Sequence, residues 1–120
     1  MSEELDELRH LRFDIHACYK EYKSAVKEYR HVARSVVVKE RDIEQKKAHL
    51  YDDGLINGKN AEAREAQARF HLNVDFEQLD TLKYLEAQAY DRKEQAEIDI
   101  EYVRAMLRVE ELASTYRMME

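Results

Sequence analysis

The stretch Asp52-Asp53-Gly54-Leu55-Ile56-Asn57-Gly58-Lys59-Asn60 holds the only two glycines of a 120-residue chain that contains no proline. Glycine and proline are the strongest local breakers of regular structure. Their absence on either side lets two long segments run without interruption, joined at this loop. Each part of the loop has a turn chemistry. Gly54 can take the left-handed conformation that ends a helix, Asn57-Gly58 is a favoured tight-turn pair, and Asn60 can accept hydrogen bonds from the first free amides of a following helix. The stretch predicts a helix over about 3–51, a loop over about 52–60 and a second helix over about 61–117.

Upstream, Leu8, Ile15, Tyr22, Tyr29, Val36, Ile43 and Leu50 recur every seven residues, and all are apolar or aromatic. This is a heptad seam. Of the companion positions, Leu5, Tyr19, Val26 and Ala33 are apolar while Arg12, Glu40 and Lys47 are not, and Leu11, Cys18, Ala25 and Val32 widen the stripe. Such a helix is about 70 Å long at 1.5 Å per residue. Downstream, Ala61, Ala63, Ala66 and Ala68 offer small side chains that let two backbones approach just below the turn. A looser seam then runs through Leu72, Leu79, Leu82, Ala89, Ala96, Ile100, Val103 and Leu107. Asp75 with Gln78 matches a capping box and Val74 with Leu79 a hydrophobic staple, which leaves a three-helix alternative with a short helix over 60–72. The seam keeps its phase across Asp75 and no glycine or proline assists a break. The reading adopted is therefore one continuous second helix, with room for a bend near 73–75.

The expected fold is all-α: a long antiparallel two-helix coiled-coil hairpin forming a single domain over 1–120. Composition agrees, because Ala, Glu, Lys, Leu and Arg supply 61 residues, about the half that marks coiled coils and long helices. Leu, Ile, Val and Phe total only 27, so apolar side chains must be placed along narrow seams. Near the C-terminus the pattern doubles. Beside the seam, Ile98, Tyr102, Ala105, Val109, Leu112 and Tyr116 form a second stripe rotated by about 200°. Two apolar faces need two partners, and a two-helix hairpin buries little surface alone. The expectation is a homodimer, most simply a four-helix bundle.

The net charge is −6, divided as about +1 over residues 1–51 and −6 over 60–120. Opposite biases favour pairing of the two helices, and overall acidity disfavours avid non-specific binding to nucleic acid or anionic membrane. The single cysteine, Cys18, excludes an internal disulfide. No apolar run exceeds Val36 to Val38, so neither a signal peptide nor a membrane span is expected, and a cytoplasmic location is the default.

Candidate chemistry is sparse. Gly54 to Asn60 falls short of a phosphate-binding loop in spacing, lacks the hydroxyl after Lys59, and follows a helix where a strand is required. Aligning Gly58 with the calcium-loop glycine puts Leu55 and Arg64 at ligand positions, so an EF-hand fails too. Glu7-Leu-Arg-His10 and Glu28-Tyr-Arg-His31 have di-iron spacing but share one helix and lie about 30 Å apart. His10, Asp14 and Cys18 drift around the helix. These groups read as solvated surface, and no metal or cofactor is expected. Lys20, Lys23, Lys27, Arg30, Arg34 and Arg41 form a basic stripe. It is either neutralised along the hairpin flank by Glu77, Asp80, Glu86 and Asp91, the reading adopted, or turned outward toward phosphates, with Lys20, Lys23, Lys27, Arg30 and Arg34 as the contacts. No nucleophile–base arrangement or deep cleft is implied, so catalysis is not expected.

Asp53-Gly-Leu-Ile-Asn-Gly-Lys-Asn60-Ala-Glu-Ala-Arg64-Glu-Ala-Gln67 resembles a turn of small uncharacterised helical-hairpin proteins of bacteriophages and mobile elements, D-G-x-I-x-G-K-N followed by a charged helix with an early arginine. The resemblance covers about 15 residues. It implies an accessory protein without assigned catalysis and carries over no functional residue. The resulting expectation is a non-enzymatic protein-protein interaction module acting as scaffold, adaptor or inhibitor. Its contact surfaces would be the tip residues Leu55, Ile56, Asn57 and Lys59 and the second apolar stripe, and its partners a second copy and another protein. The other reading of Leu55-Ile56, and the slightly favoured one, is that they fold back onto the alanine-rich start of the second helix. A nucleic-acid-associated accessory factor using the basic stripe is the alternative.

Overall fold

The structure is a computed structural model and describes residues 2–119. Those residues are helical apart from the central loop and one short break: α1 spans Ser2–Asp52, α2 Ala61–His71 and α3 Asn73–Met119. The two long helices, α1 and α3, pack against each other. The chain divides into two compact units, Met1–Tyr29 with Ala89–Glu120 (unit 1) and Arg30–Gln88 (unit 2).

In unit 2 the heptad seam turns inward as expected. Val36 and Ile43 of α1 are buried with Leu72 and with Leu79 of α3, and Leu50, Phe76 and Leu82 pack against this cluster. Lys47 and Arg69 lie over the Phe76 ring, 5.6 and 4.7 Å from its centre, where their charge faces its π-cloud. In unit 1 the buried apolar residues are smaller: Ala25 of α1 with Ala89, Ala96 and Ile100 of α3. Around them Ile15, Tyr22 and Tyr29 are half-buried. The Tyr29 and Tyr90 rings meet at 5.6 Å, with the Lys93 ammonium over both.

The continuous second helix expected from the seam's phase is interrupted, and the three-helix alternative is the arrangement found. Leu72 stands between α2 and α3 with φ −112° and ψ 30°, outside helical geometry. The break is only one residue wide. The Leu72 amide still donates to the Ala68 carbonyl (2.9 Å) and the Phe76 amide to the Leu72 carbonyl (2.9 Å), so the ladder carries through a kink. Leu72 is nonetheless buried with Leu79, Val36 and Ile43 in the unit 2 cluster, so the interruption leaves the seam's inward face in place.

The residues read as a capping box serve this bend differently. The Asp75 carboxylate accepts from Lys39 and from Lys46 of α1, both at 2.8 Å, while the Gln78 side-chain oxygen accepts from Lys39 at 2.6 Å. The Lys39 ammonium, with the Lys46 ammonium second, holds the Asp75 carboxyl below its usual 3.8. Lys46 is raised above 10.5 by Asp75 and then by Asp42. A depressed acid stabilises the fold above its unfolded pKa, and that contribution disappears as pH falls through the lower folded value. The raised Lys46 contributes fully below its unfolded pKa and loses its effect only at more alkaline pH than 10.5. Thermal melts should thus be level through neutral pH and fall below about pH 4. An Asp75→Asn variant should melt lower at pH 7, by about 1–2 kcal/mol, and lose less than the parent on acidification. Equal acid sensitivity in parent and variant would refute this role for Asp75.

Candidate functional site

The tip loop in unit 2 is built by the residues that carry the turn motif. Gly54 sits at φ 75°, its amide bonds to the Tyr51 carbonyl (3.0 Å) and the Leu55 amide to the Leu50 carbonyl (2.9 Å), which is a Schellman closure of α1. Asn60 caps α2 by accepting from the Ala63 amide at 2.7 Å. The Gln67 side-chain oxygen accepts from the amides of both Asn57 (2.9 Å) and Gly58 (2.8 Å). Its amino group donates to the Asn57 side chain at 3.0 Å. Arg64 donates to the Gly58 carbonyl at 3.2 Å.

Gly58 corrects the expectation from turn chemistry. Among described residues only Gly54 has positive φ, and Gly58 is required for space: a Cβ there would lie 2.7 Å from the Ala63 Cβ and 2.9 Å from the Arg64 amide nitrogen. The early alanines divide likewise, with Ala68 buried and Ala63 beneath Gly58, while Ala61 and Ala66 are exposed. Of the four tip residues expected to contact a partner, Ile56 is buried at 3 % exposure and the Asn57 side chain is engaged by Gln67 and by the Gly54 carbonyl. Burial corrects the assignment of Ile56 as a contact residue, whereas Asn57 is exposed with its side chain already engaged within the loop. Leu55, at 47 %, and Lys59 remain on the surface.

The second apolar stripe lies in unit 1 on the outer face of α3. Ile98, Tyr102, Val109, Leu112 and Tyr116 are between 56 and 68 % exposed, and Ala105 is exposed among them. Their spacing of 4-3-4-3-4 is that of a coiled-coil seam, and Met119, 81 % exposed, continues it.

The cross-helix neutralisation expected for the basic stripe does not occur. Lys20, Lys23 and Lys27 in unit 1 and Arg30, Arg34 and Arg41 in unit 2 are all exposed. Among the described residues none of these six forms an ion pair, and neither do Glu77, Asp80, Glu86 or Asp91. The ionic contacts between helices use other residues. Arg92 of α3 takes Glu21 (Nε–Oε1 2.9 Å, Nη2–Oε1 2.7 Å) and Glu28 of α1, and Tyr22 donates to Glu97 at 3.2 Å. A reading by charge bias identified two complementary helices but not their registration. The acids of α3 were assigned to the lysines of α1, whereas in unit 1 an arginine of α3 serves the acids of α1.

His10, Asp14 and His31 are exposed and Cys18 is half-buried. No group of three or more His, Cys, Asp and Glu able to hold a metal ion occurs among the described residues. No described helix is long and apolar enough to cross a membrane. Comparison with protein-family models, curated proteins and solved structures finds no match to this chain. The functional reading therefore rests on the geometry of these three surfaces.

Proposed function

We propose that this protein is a non-enzymatic interaction module that self-associates through the outer face of α3 in unit 1. The observation that carries this reading is the exposed seam Ile98, Tyr102, Ala105, Val109, Leu112 and Tyr116. Solvated apolar residues at strict heptad spacing are a face without its partner. A second copy is the occupant we assign. The spacing reads the same in both directions, so an antiparallel twofold pairing sets Ile98 opposite Tyr116, Tyr102 opposite Leu112 and Ala105 opposite Val109. The small Ala105 at the central layers lets the helices approach most closely there. Residues 98–119 span about 33 Å of helix. A strip of that length and one helix width offers about 350 Å², below the roughly 800 Å² per partner of a standard stable interface. A dissociation constant in the micromolar range is expected. Because the stripe lies opposite the α1-facing seam, the pairing sets the two α3 helices side by side with each α1 on the far side of its own α3, in place of a closed four-helix bundle.

Sedimentation equilibrium from about 1 to 100 µM should show a monomer–dimer transition that Ile98→Asp with Leu112→Asp abolishes. Both positions are exposed, so the variant should retain the parent's circular dichroism. A parent that stays monomeric throughout overturns the self-association. The exposed Leu55 and Lys59 supply a second contact surface for a different protein, as a scaffold, adaptor or inhibitor requires. An origin in a phage or mobile element is part of the same proposal and rests on the Asp53–Gln67 turn alone.

A further inference from the structure

The α1 face of unit 1 is more uniformly basic than the lysine spacing alone suggests. At 100° per residue, Arg9, His16, Lys20, Lys23 and Lys27 fall within an arc of about 60°. The only carboxylates in the sequence between Arg9 and Lys27 are Asp14 and Glu21, and they lie about 100–120° around the helix from Lys20. Glu21, together with Glu28, is held on that other flank by Arg92. Of the acids in and beside this segment, Glu21 and Glu28 share the Arg92 guanidinium, while Asp14 stays exposed on the other flank. Lys20, Lys23 and Lys27 are left exposed without an ion pair among the described residues.

We infer that this face docks on the phosphodiester backbone of duplex DNA, a function beyond self-association through α3. Three ammonium groups at three- and four-residue spacing follow one another at about 5 Å along the axis. Duplex DNA offers a negative charge every ~1.7 Å of its axis, dense enough to meet each of them. The contact is to backbone and does not read sequence. Asn and Gln, the bidentate readers of adenine, are absent from α1 before Gln45, and the three lysines act here as point charges on phosphates. The net charge of −6 opposes approach at long range, which places the binding in the weak, salt-sensitive class.

The test is fluorescence anisotropy of a labelled 30-base-pair DNA duplex titrated with the intact protein at several salt concentrations. With about three phosphates neutralised, the log–log salt slope should be near −2.7, about a 40-fold loss of affinity from 50 to 200 mM. Lys20→Glu with Lys23→Glu and Lys27→Glu should lose at least about tenfold, while Lys59→Glu with Lys83→Glu and Arg108→Glu, the same change in net charge elsewhere, should lose little. All six positions are exposed, and unchanged circular dichroism verifies the fold. Equal loss in the two triple variants, no binding at 50 mM salt, tighter binding to a duplex RNA of the same length, or equal affinity for polyglutamate each overturns the proposal.

Discussion

An Ile56→Asp variant is expected to melt more than 10 °C below the parent, whereas Leu55→Asp, one residue earlier, is expected to leave the melting temperature nearly unchanged. The two side chains are adjacent in a loop and similar in chemistry, yet they sit on opposite sides of the solvent boundary. Ile56 is 3 % exposed and Leu55 47 %. An aspartate at 56 forfeits the transfer energy of a buried isoleucine and carries a carboxylate out of water into a buried site. Together these cost about 3–5 kcal/mol. At Leu55 the new carboxylate stays in water and replaces a side chain that is already half solvated, a change of about 0.5 kcal/mol or less. Differential scanning calorimetry on the two variants separates these outcomes, and similar destabilisation by both would show that Leu55 is part of the core. Because Leu55→Asp leaves the fold intact, it is also the variant that reads the contact function of the tip. A partner retained by the parent and lost by Leu55→Asp binds there.

The tip shows what a sequence reveals and what it does not. Gly54 and Asn60 were legible because their roles are local: a left-handed helix end and an N-terminal cap are each settled within four residues of chain. Gly58 was legible as a special position but for the wrong reason, since the atoms that exclude a side chain belong to Ala63 and Arg64 of the next helix. Gln67 drew no attention as a polar residue on a charged helix, although it closes the loop by accepting from two consecutive amides. The pairing joins residues nine apart across the loop and the first turns of α2, which neither the heptad pattern nor the cap chemistry marks. Gly54, Ile56, Gly58, Asn60, Arg64 and Gln67 each have a structural duty in this loop, so its composition is accounted for without a ligand. The same distinction applies along the helices. Heptad spacing identified which side chains face inward, because it depends on a single helix. The partners of Asp75 and Arg92 depend on the registration of two helices, which no single-helix pattern contains.

Ile43→Ala should destabilise unit 2 by about 2–4 kcal/mol, the largest effect expected from truncating a single seam residue. Ile43 is 2 % exposed and sits among Val36, Leu72 and Leu79, with the break in the helical ladder pressed against it. Removal of its side chain leaves a void lined by branched residues on separate helices that cannot all move inward together. Among the described residues unit 1 has one comparable position, Ile100. Three of its buried apolar residues, Ala25, Ala89 and Ala96, have only a methyl group to lose, and Ile100 is the single large one. Stability is therefore uneven along one chain, and local opening should be easier in unit 1 than in unit 2. Hydrogen exchange at 1 µM protein should find faster-exchanging amides in 89–110 than in 36–50 and 72–82, with Ile43→Ala accelerating the unit 2 segments. Raising the concentration to 100 µM should then protect 96–116 and leave 36–50 unchanged, because the exposed seam of α3 belongs to the unit with the thinner core. Protection that is uniform along the chain or independent of concentration would contradict this division. Large apolar residues are exposed in both units, but among the described residues only those of unit 1, Ile98, Tyr102, Val109, Leu112 and Tyr116, fall on one heptad-spaced stripe, and concentration-dependent protection confined to them is what the proposed pairing requires.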